Sequence, residues 1–239
     1  MQQKSARNVA KQVVSELKRI GSAEAKSGMA GFGINTATAL GVPVPELRKI
    51  ARKMGFNHEL ALELWDTGVH EARLLATMIE DPKSITNRQM ELWVRDLDSW
   101  DVCDSLCGNL LDKTKDAYMK AAEWSKRDRE YVRRAGFAMM AVLAVHDKEA
   151  NDQRFINFIP LIVEGSDDER NFVKKAVSWA LRNIGKRNKR LNREAIAVAE
   201  RIGTRDSASA KWVASDVIRE LRSAAVVARL DAAEQAQKE

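Results

Sequence analysis

From about residue 43 onward the apolar residues recur at steps of three and four, the spacing that lines up one face of an α-helix. Runs of β-branched residues are scarce and the four prolines fall at segment edges, so the pattern predicts an all-α chain. Boundary signals divide it. Asp81-Pro82 closes one helix, while Thr86 with Gln89 and Ser166 with Glu169 have the spacing of capping boxes. Gly185 and Gly203 stand where C-terminal stops belong. The reading is roughly a dozen helices of 10–17 residues joined by short loops. With no linker between them, these form one domain over residues 1–239, with a core near 25–222 and a tail, 223–239, that is helical or frayed.

The segments also resemble one another. Glu71-Ala72-Arg73, Cys103-Asp104-Ser105, Arg133-Arg134-Ala135, Lys174-Lys175-Ala176 and Val213-Ala214-Ser215 each set a small residue inside an apolar helix, and the small residues follow one another at intervals of 33, 30, 41 and 38. Such a period matches the helix pairs of HEAT or armadillo arrays and predicts a curved solenoid of HEAT-like helix pairs, an α-α superhelix with a concave surface. A plain helical bundle is the alternative that gives similar spacings.

Placing each helix on a 100° wheel separates residues the core explains from residues it does not. Between 169 and 184 the stripe is Val173, Ala176, Val177, Ala180, Leu181 and Ile184, and Trp179 falls off it beside Phe172, Lys175 and Arg182. An indole among cations suits a flat or anionic ligand, or else packs on the neighbouring repeat. Between 99 and 110, Trp100 and Asp104 project together from a non-core face, one turn apart; Asp104 is a cation-stabilising carboxylate or a solvated surface acid. Between 129 and 145, Arg134 points away from Val132, Gly136, Met139, Met140 and Leu143.

Charge sharpens this picture. The net +6 conceals ten basic and three acidic side chains in residues 1–53, 14 against 22 in 54–168, and 14 against six in 169–222. Two basic ends around an acidic centre suit a polyanion. Lys174, Lys175, Arg182, Lys186, Arg187, Lys189 and Arg190 form one cluster; Arg48, Lys49, Arg52 and Lys53 form the other. A solvated basic face is the plainer reading of the run from Lys186 to Arg190. At 45% apolar and 31% charged, the chain is too apolar for intrinsic disorder, and it has no apolar run long enough to span a membrane. The start lacks the apolar segment of a signal peptide, so the expected location is cytoplasmic. Cys103 and Cys107, one turn apart near the core side, are read as packing thiols, and the three histidines have no metal-ligand spacing. No phosphate-binding glycine loop or nucleophile elbow is present.

Ser99-Trp100-Asp101-Val102-Cys103-Asp104-Ser105, Val132-Arg133-Arg134-Ala135 and Asn171 to Arg182 (NFVKKAVSWALR), in this order and spacing, resemble the AlkD-like DNA alkylation-repair family, the HEAT-like-repeat DNA glycosylases. The resemblance extends to Gly41-Val42-Pro43-Val44-Pro45-Glu46-Leu47-Arg48, which is similar to that family's early loop. It implies excision of cationic N3- or N7-alkylated purines from double-stranded DNA by hydrolysis of the N-glycosidic bond, without metal or small-molecule cofactor, by a monomer. On the same basis Asp104 is the catalytic carboxylate, Trp100 and Trp179 are the groove tryptophans, and Arg134, with Arg133 as the adjacent alternative, holds phosphate. Lys175, Arg182, Lys186, Arg187 and Arg48 are the expected DNA-binding cations. Phe32 stands where family members often carry a tyrosine. The alternative function is a non-catalytic HEAT-like-repeat protein that binds damaged or branched DNA.

Overall fold

The computed structural model of the chain describes residues 2–236. Among these residues there are fifteen α-helices, one 3-10 turn and no strand, as the periodicity predicts. The chain divides into two compact units, the first ending at Thr114 and the second beginning at Lys115.

The first unit contains α1 (Gln2–Ile20), α2 (Ala23–Gly31), α3 (Val44–Met54), α4 (His58–Asp66), α5 (His70–Ile79), α6 (Asn87–Arg95) and α7 (Trp100–Asn109), followed by the 3-10 turn Leu111–Lys113. Helix α1 packs on α4, and α3, α4 and α7 all pack on α5. Surrounded in this way, α5 buries eight of its ten residues. Trp65 of α4 and Trp93 of α6, both buried, stack in parallel with ring centroids 4.3 Å apart. The loop from α2 to α3 passes Gly41 at φ 80°, where a Cβ would meet the Ser22 carbonyl oxygen at 2.1 Å; only glycine fits.

The second unit contains α8 (Ala117–Trp124), α9 (Glu130–His146), α10 (Asp152–Ile156), α11 (Ile159–Gly165), α12 (Asn171–Gly185), α13 (Lys189–Gly203), α14 (Ala208–Leu221) and α15 (Ala224–Ala236). Helices α9, α12 and α14 pack side by side, with α8 against α9, α11 against α12 and α13 against α14. This is the pairing of HEAT-like repeats. The repeat period is visible in bonds between equivalent positions of successive repeats. In the first unit Trp65 to Asp96 and His70 to Asp101 are each 31 residues apart. In the second, Arg134 to Phe172, Ser178 to Asp216 and Arg205 to Asp167 are each 38 apart.

Three boundary readings change. Thr86 caps α6 by accepting the Gln89 N–H, as its spacing implies. Ser166, however, ends α11 and donates its hydroxyl to the Val163 carbonyl; Asp168 instead accepts the Arg170 N–H ahead of α12. Gly185 and Gly203 are the last helical residues rather than left-handed stops. At Gly185 the requirement is space, since a Cβ there would lie 2.5 Å from Leu221 Cδ1 and 2.9 Å from Ala195 Cβ. Helices α2, α4, α6 and α8, at eight or nine residues, and α10 and α11, at five and seven, are shorter than the expected 10–17, while α1, at 19, is longer. The tail is helical as far as Ala236, and 237–239 lie outside the described residues. Among the described residues no helix is long and apolar enough to cross a membrane.

Candidate functional site

The N-terminus of α7 is fixed by side chains that converge from three parts of the first unit. Ser99 is fully buried; its hydroxyl donates to Asp101 and accepts the Asn35 N–H at 3.4 Å. Asn35 Nδ2 also donates to Asp98 at 2.9 Å. His70, the first residue of α5, places Nε2 2.8 Å from Asp101 Oδ2. The Trp100 indole N–H donates to the Phe32 carbonyl at 3.1 Å, tying the helix to the end of α2. One residue along α5, the carboxylate of Glu71 is 0% exposed and accepts the backbone N–H groups of Leu40, Gly41 and Val42. These donors cannot pair with each other in an irregular loop, so a buried anion satisfies them.

This network sets the charges at the helix start. Burial opposes the charged form of His70, but the hydrogen bond and charge of Asp101, with Glu71 and Asp98 behind it, raise the imidazole above its ordinary value. Burial likewise opposes ionisation of Asp101, and the bonds from His70, Ser99 and the Val102 N–H outweigh it, holding the carboxyl below the usual range. Asp104 lies one turn beyond Trp100, both half-buried, while Val102, Cys103, Leu106 and Cys107 fill the core side with free thiols at 103 and 107. The first unit thus presents an indole and a carboxylate from one rigidly mounted helix.

In the second unit Trp179 is half-buried on α12, four residues from the exposed Lys175, and Phe172 stacks on Tyr131 at 5.9 Å. The neighbouring cations differ from the sequence reading. Arg134 is only 5% exposed and donates from Nη1 to the Phe172 carbonyl at 2.6 Å, so it binds α9 to α12 rather than pointing away from the core. Arg133 is half-buried, 3.5 Å from Asp168. Arg182 and Lys186 both pair with Glu220, the latter at 2.6 Å. Burial alone would raise the Glu220 carboxyl; the hydrogen bonds of Lys186 and Arg182 hold it lower. Arg187 donates to the carbonyls of Ala144, Asp147 and Ala150 at 2.8–3.0 Å and lies over the Phe155 ring at 4.1 Å. It closes the C-terminal end of α9, where orphan carbonyls need donors. Lys189 pairs with Asp231 and Glu234. Of the cluster, Lys175 and Arg190 remain exposed, the latter 3.5 Å from Asp152.

Arg48 is exposed on α3, as expected, and Arg52 joins it one turn later. Trp212, outside the three helices the wheels separate, is partly exposed on α14 with Lys174 Nζ 5.5 Å from its ring centre. Extending the wheel test to α14, where Val213, Ala214 and Val217 form the stripe, reveals it. Among the described residues no group of three or more His, Cys, Asp or Glu side chains is placed to hold a metal ion.

A family model described as "DNA alkylation repair enzyme" matches residues 13–221. The chain belongs to the DNA alkylation repair enzyme family. Two relatives, Uncharacterized protein Lin0241 of Listeria innocua and Uncharacterized protein Lmo0209 of Listeria monocytogenes, are each 27% identical over 100 residues. The match covers 41% of this family member and 45% of each relative, under half of their length. A solved structure described as "a new family of proteins related to the HEAT-like repeat DNA glycosylases with affinity for branched DNA structures" superposes with TM-score 0.73 at 21% identity, over 87% of this chain and 94% of that one. The likeness establishes a HEAT-like-repeat fold for this DNA alkylation repair family member.

Proposed function

We propose that this family member is a DNA glycosylase that hydrolyses the N-glycosidic bond of cationic N3- or N7-alkylated purines in duplex DNA. The observation that carries the reading is the mounting of Trp100 and Asp104 on one turn of α7, whose start is locked by Phe32, Asn35, His70 and Asp101. An alkylated purine already bears positive charge and leaves without prior protonation. The carboxylate of Asp104 stabilises the positive charge that develops on the sugar and orients a water for attack, the role acidic residues take in glycoside hydrolysis. Trp100 and Trp179 contribute π faces to the cationic nucleotide, each worth about 0.5–2 kcal/mol once water is excluded. Phosphate contacts come from Arg48, Lys175 and, where their own acids release them, Arg182 and Lys186. Arg134 and Arg187 support the helices that carry these groups. A monomer acting on alkylated duplex DNA in the cytoplasm is the setting we infer.

The deciding experiment measures release of methylated purine from alkylated duplex by wild type and by Asp104→Asn. Release by wild type that falls at least a hundredfold in the variant, with duplex affinity retained, supports the assignment. Equal release from the two proteins defeats it. A second reading, binding of branched or damaged DNA without excision, is supported by the described branched-DNA affinity of the similarly folded protein. Under that reading neither protein releases base, and both bind a four-way junction more tightly than a linear duplex of the same length.

A further inference from the structure

Between α3 and α5, with Asn109 from the C-terminal end of α7, the first unit holds a cleft of about 390 Å³ in which only Arg48 has been given a role above. Its lining is mostly apolar and includes Ala51 of α3 and Met78 of α5. Phe56, in the turn after α3, forms a wall and is 71% exposed, which is unusual for a ring of this size in contact with a concave apolar surface. Arg48 and Arg52 stand at the rim one helical turn apart, and among the described residues neither guanidinium has a hydrogen bond or ion pair. Asn109 completes the lining, its Nδ2 fixed on Thr77 Oγ1 at 3.0 Å and its amide oxygen unused among the described residues.

We propose that this cleft binds one unpaired nucleobase of a DNA strand, stacked on Phe56 with Met78 beneath it, while Arg48 and Arg52 hold the phosphates on either side. The parts match the recurring chemistry of single-strand recognition, an aromatic platform beside cations that follow the backbone. Side chains at i and i+4 on a helix stand about 6 Å apart at Cβ, a spacing that lets two guanidinium groups serve adjacent phosphates of one strand. A base inside an intact duplex has both faces covered by its neighbours and cannot reach the ring. The cleft is therefore selective for gaps, branch points and extruded nucleotides. A fixed amide at Asn109 adds a hydrogen-bonding group toward the base edge. The proposal requires that DNA be the ligand, as the reading above does, but it is independent of excision and of Asp104.

The test compares two probes, a short duplex and the same duplex with a single-stranded gap carrying 2-aminopurine. Wild type should quench the 2-aminopurine and bind the gapped probe more tightly. Phe56→Ala should abolish the quenching and weaken gapped binding roughly 5- to 150-fold, the range for loss of one stacked base, with duplex binding unchanged. Phe56→Trp should restore both signals. Arg48→Gln with Arg52→Gln should lower the salt slope of gapped binding by about 0.7 for each phosphate that the pair no longer neutralises. Equal weakening on both probes, or no change on either, overturns the base site while leaving DNA binding intact. A wild type that binds neither probe overturns the nucleic-acid reading of the chain together with this one.

Discussion

In the first unit two carboxylates, Glu71 and Glu80, are buried, one satisfying loop N–H groups and the other accepting from Gln89 at 2.7 Å with His58 Nδ1 2.8 Å away, and the imidazole of His70 is buried with them. In the second, cations are buried along with the Asp168 carboxylate. Lys120 and Arg134 are buried, and Arg187 spends its guanidinium on carbonyls. The surfaces show the opposite. Around α3 the arginines Arg48 and Arg52 have no internal partner among the described residues, whereas near α12 and α13 the cations Arg182, Lys186 and Lys189 are matched by Glu220, Asp231 and Glu234. Segment charge therefore misplaces the phosphate-binding potential: the larger basic excess, in residues 169–222, is mostly neutralised by its own fold. A cation contributes to polyanion binding only if the folded protein leaves it unspent.

This contrast can be broken at its strongest point first. Replacing Glu71 by Ala leaves three buried backbone donors without an acceptor, and we expect a loss of about 3 kcal/mol or more in chemical denaturation, confined to the first unit. A change under about 1 kcal/mol would mean that water takes over the role and that the buried anion is not the organiser of the loop. Arg187→Ala removes a donor from several carbonyls and should cost about 1–3 kcal/mol in the second unit, with the salt slope of duplex binding unchanged. A lower slope would restore Arg187 as a phosphate contact.

Glu220→Gln removes the charge paired with Lys186 and one of the two paired with Arg182, which keeps Asp216 at 3.4 Å, and duplex binding measured against salt should steepen by about 0.9 for each cation that then reaches a phosphate. An unchanged slope would show that these cations face away from DNA whether paired or not. The smallest effect concerns His70 and Asp101. His70 holds its proton more tightly folded than unfolded, so its contribution is complete below the ordinary imidazole value and disappears as pH rises through the raised one. Asp101, held low, contributes above its ordinary value and loses that contribution as pH falls through the lowered one. The stability difference between wild type and His70→Gln should therefore be largest between those ordinary values, 3.8 and 6.5, and shrink in alkaline solution. A difference that is flat with pH would reduce the pair to packing.

The helices and the repeat period were legible because both depend on apolar spacing, which the chain carries locally. Arg134 falls on the wrong face of a wheel for a related reason. A wheel assigns a polar face by contrast with one apolar stripe, but α9 is packed on nearly every side and buries residues from Val132 to Ala144 with Arg133 as the exception. The pairing of Arg182 with Glu220 and of Arg187 with the end of α9 joins residues 37–43 positions apart, so no local window displays it. Ser166 had the right spacing for a capping box, yet the Asp167-Asp168 turn supplied a competing acceptor closer to the helix. Phe56 lies outside the apolar stripes, and the cleft it lines is formed by residues from α3, α5 and α7 that no local window brings together.

The bond from Trp100 ends on the main chain of residue 32, and the Phe32 ring itself is 76% exposed. The clamp is therefore indifferent to which side chain residue 32 carries. The ring there can be exchanged, phenylalanine for tyrosine or for a smaller group, without loosening the helix that bears Asp104. Position 32 is in this sense an adjustable part attached to a fixed bearing.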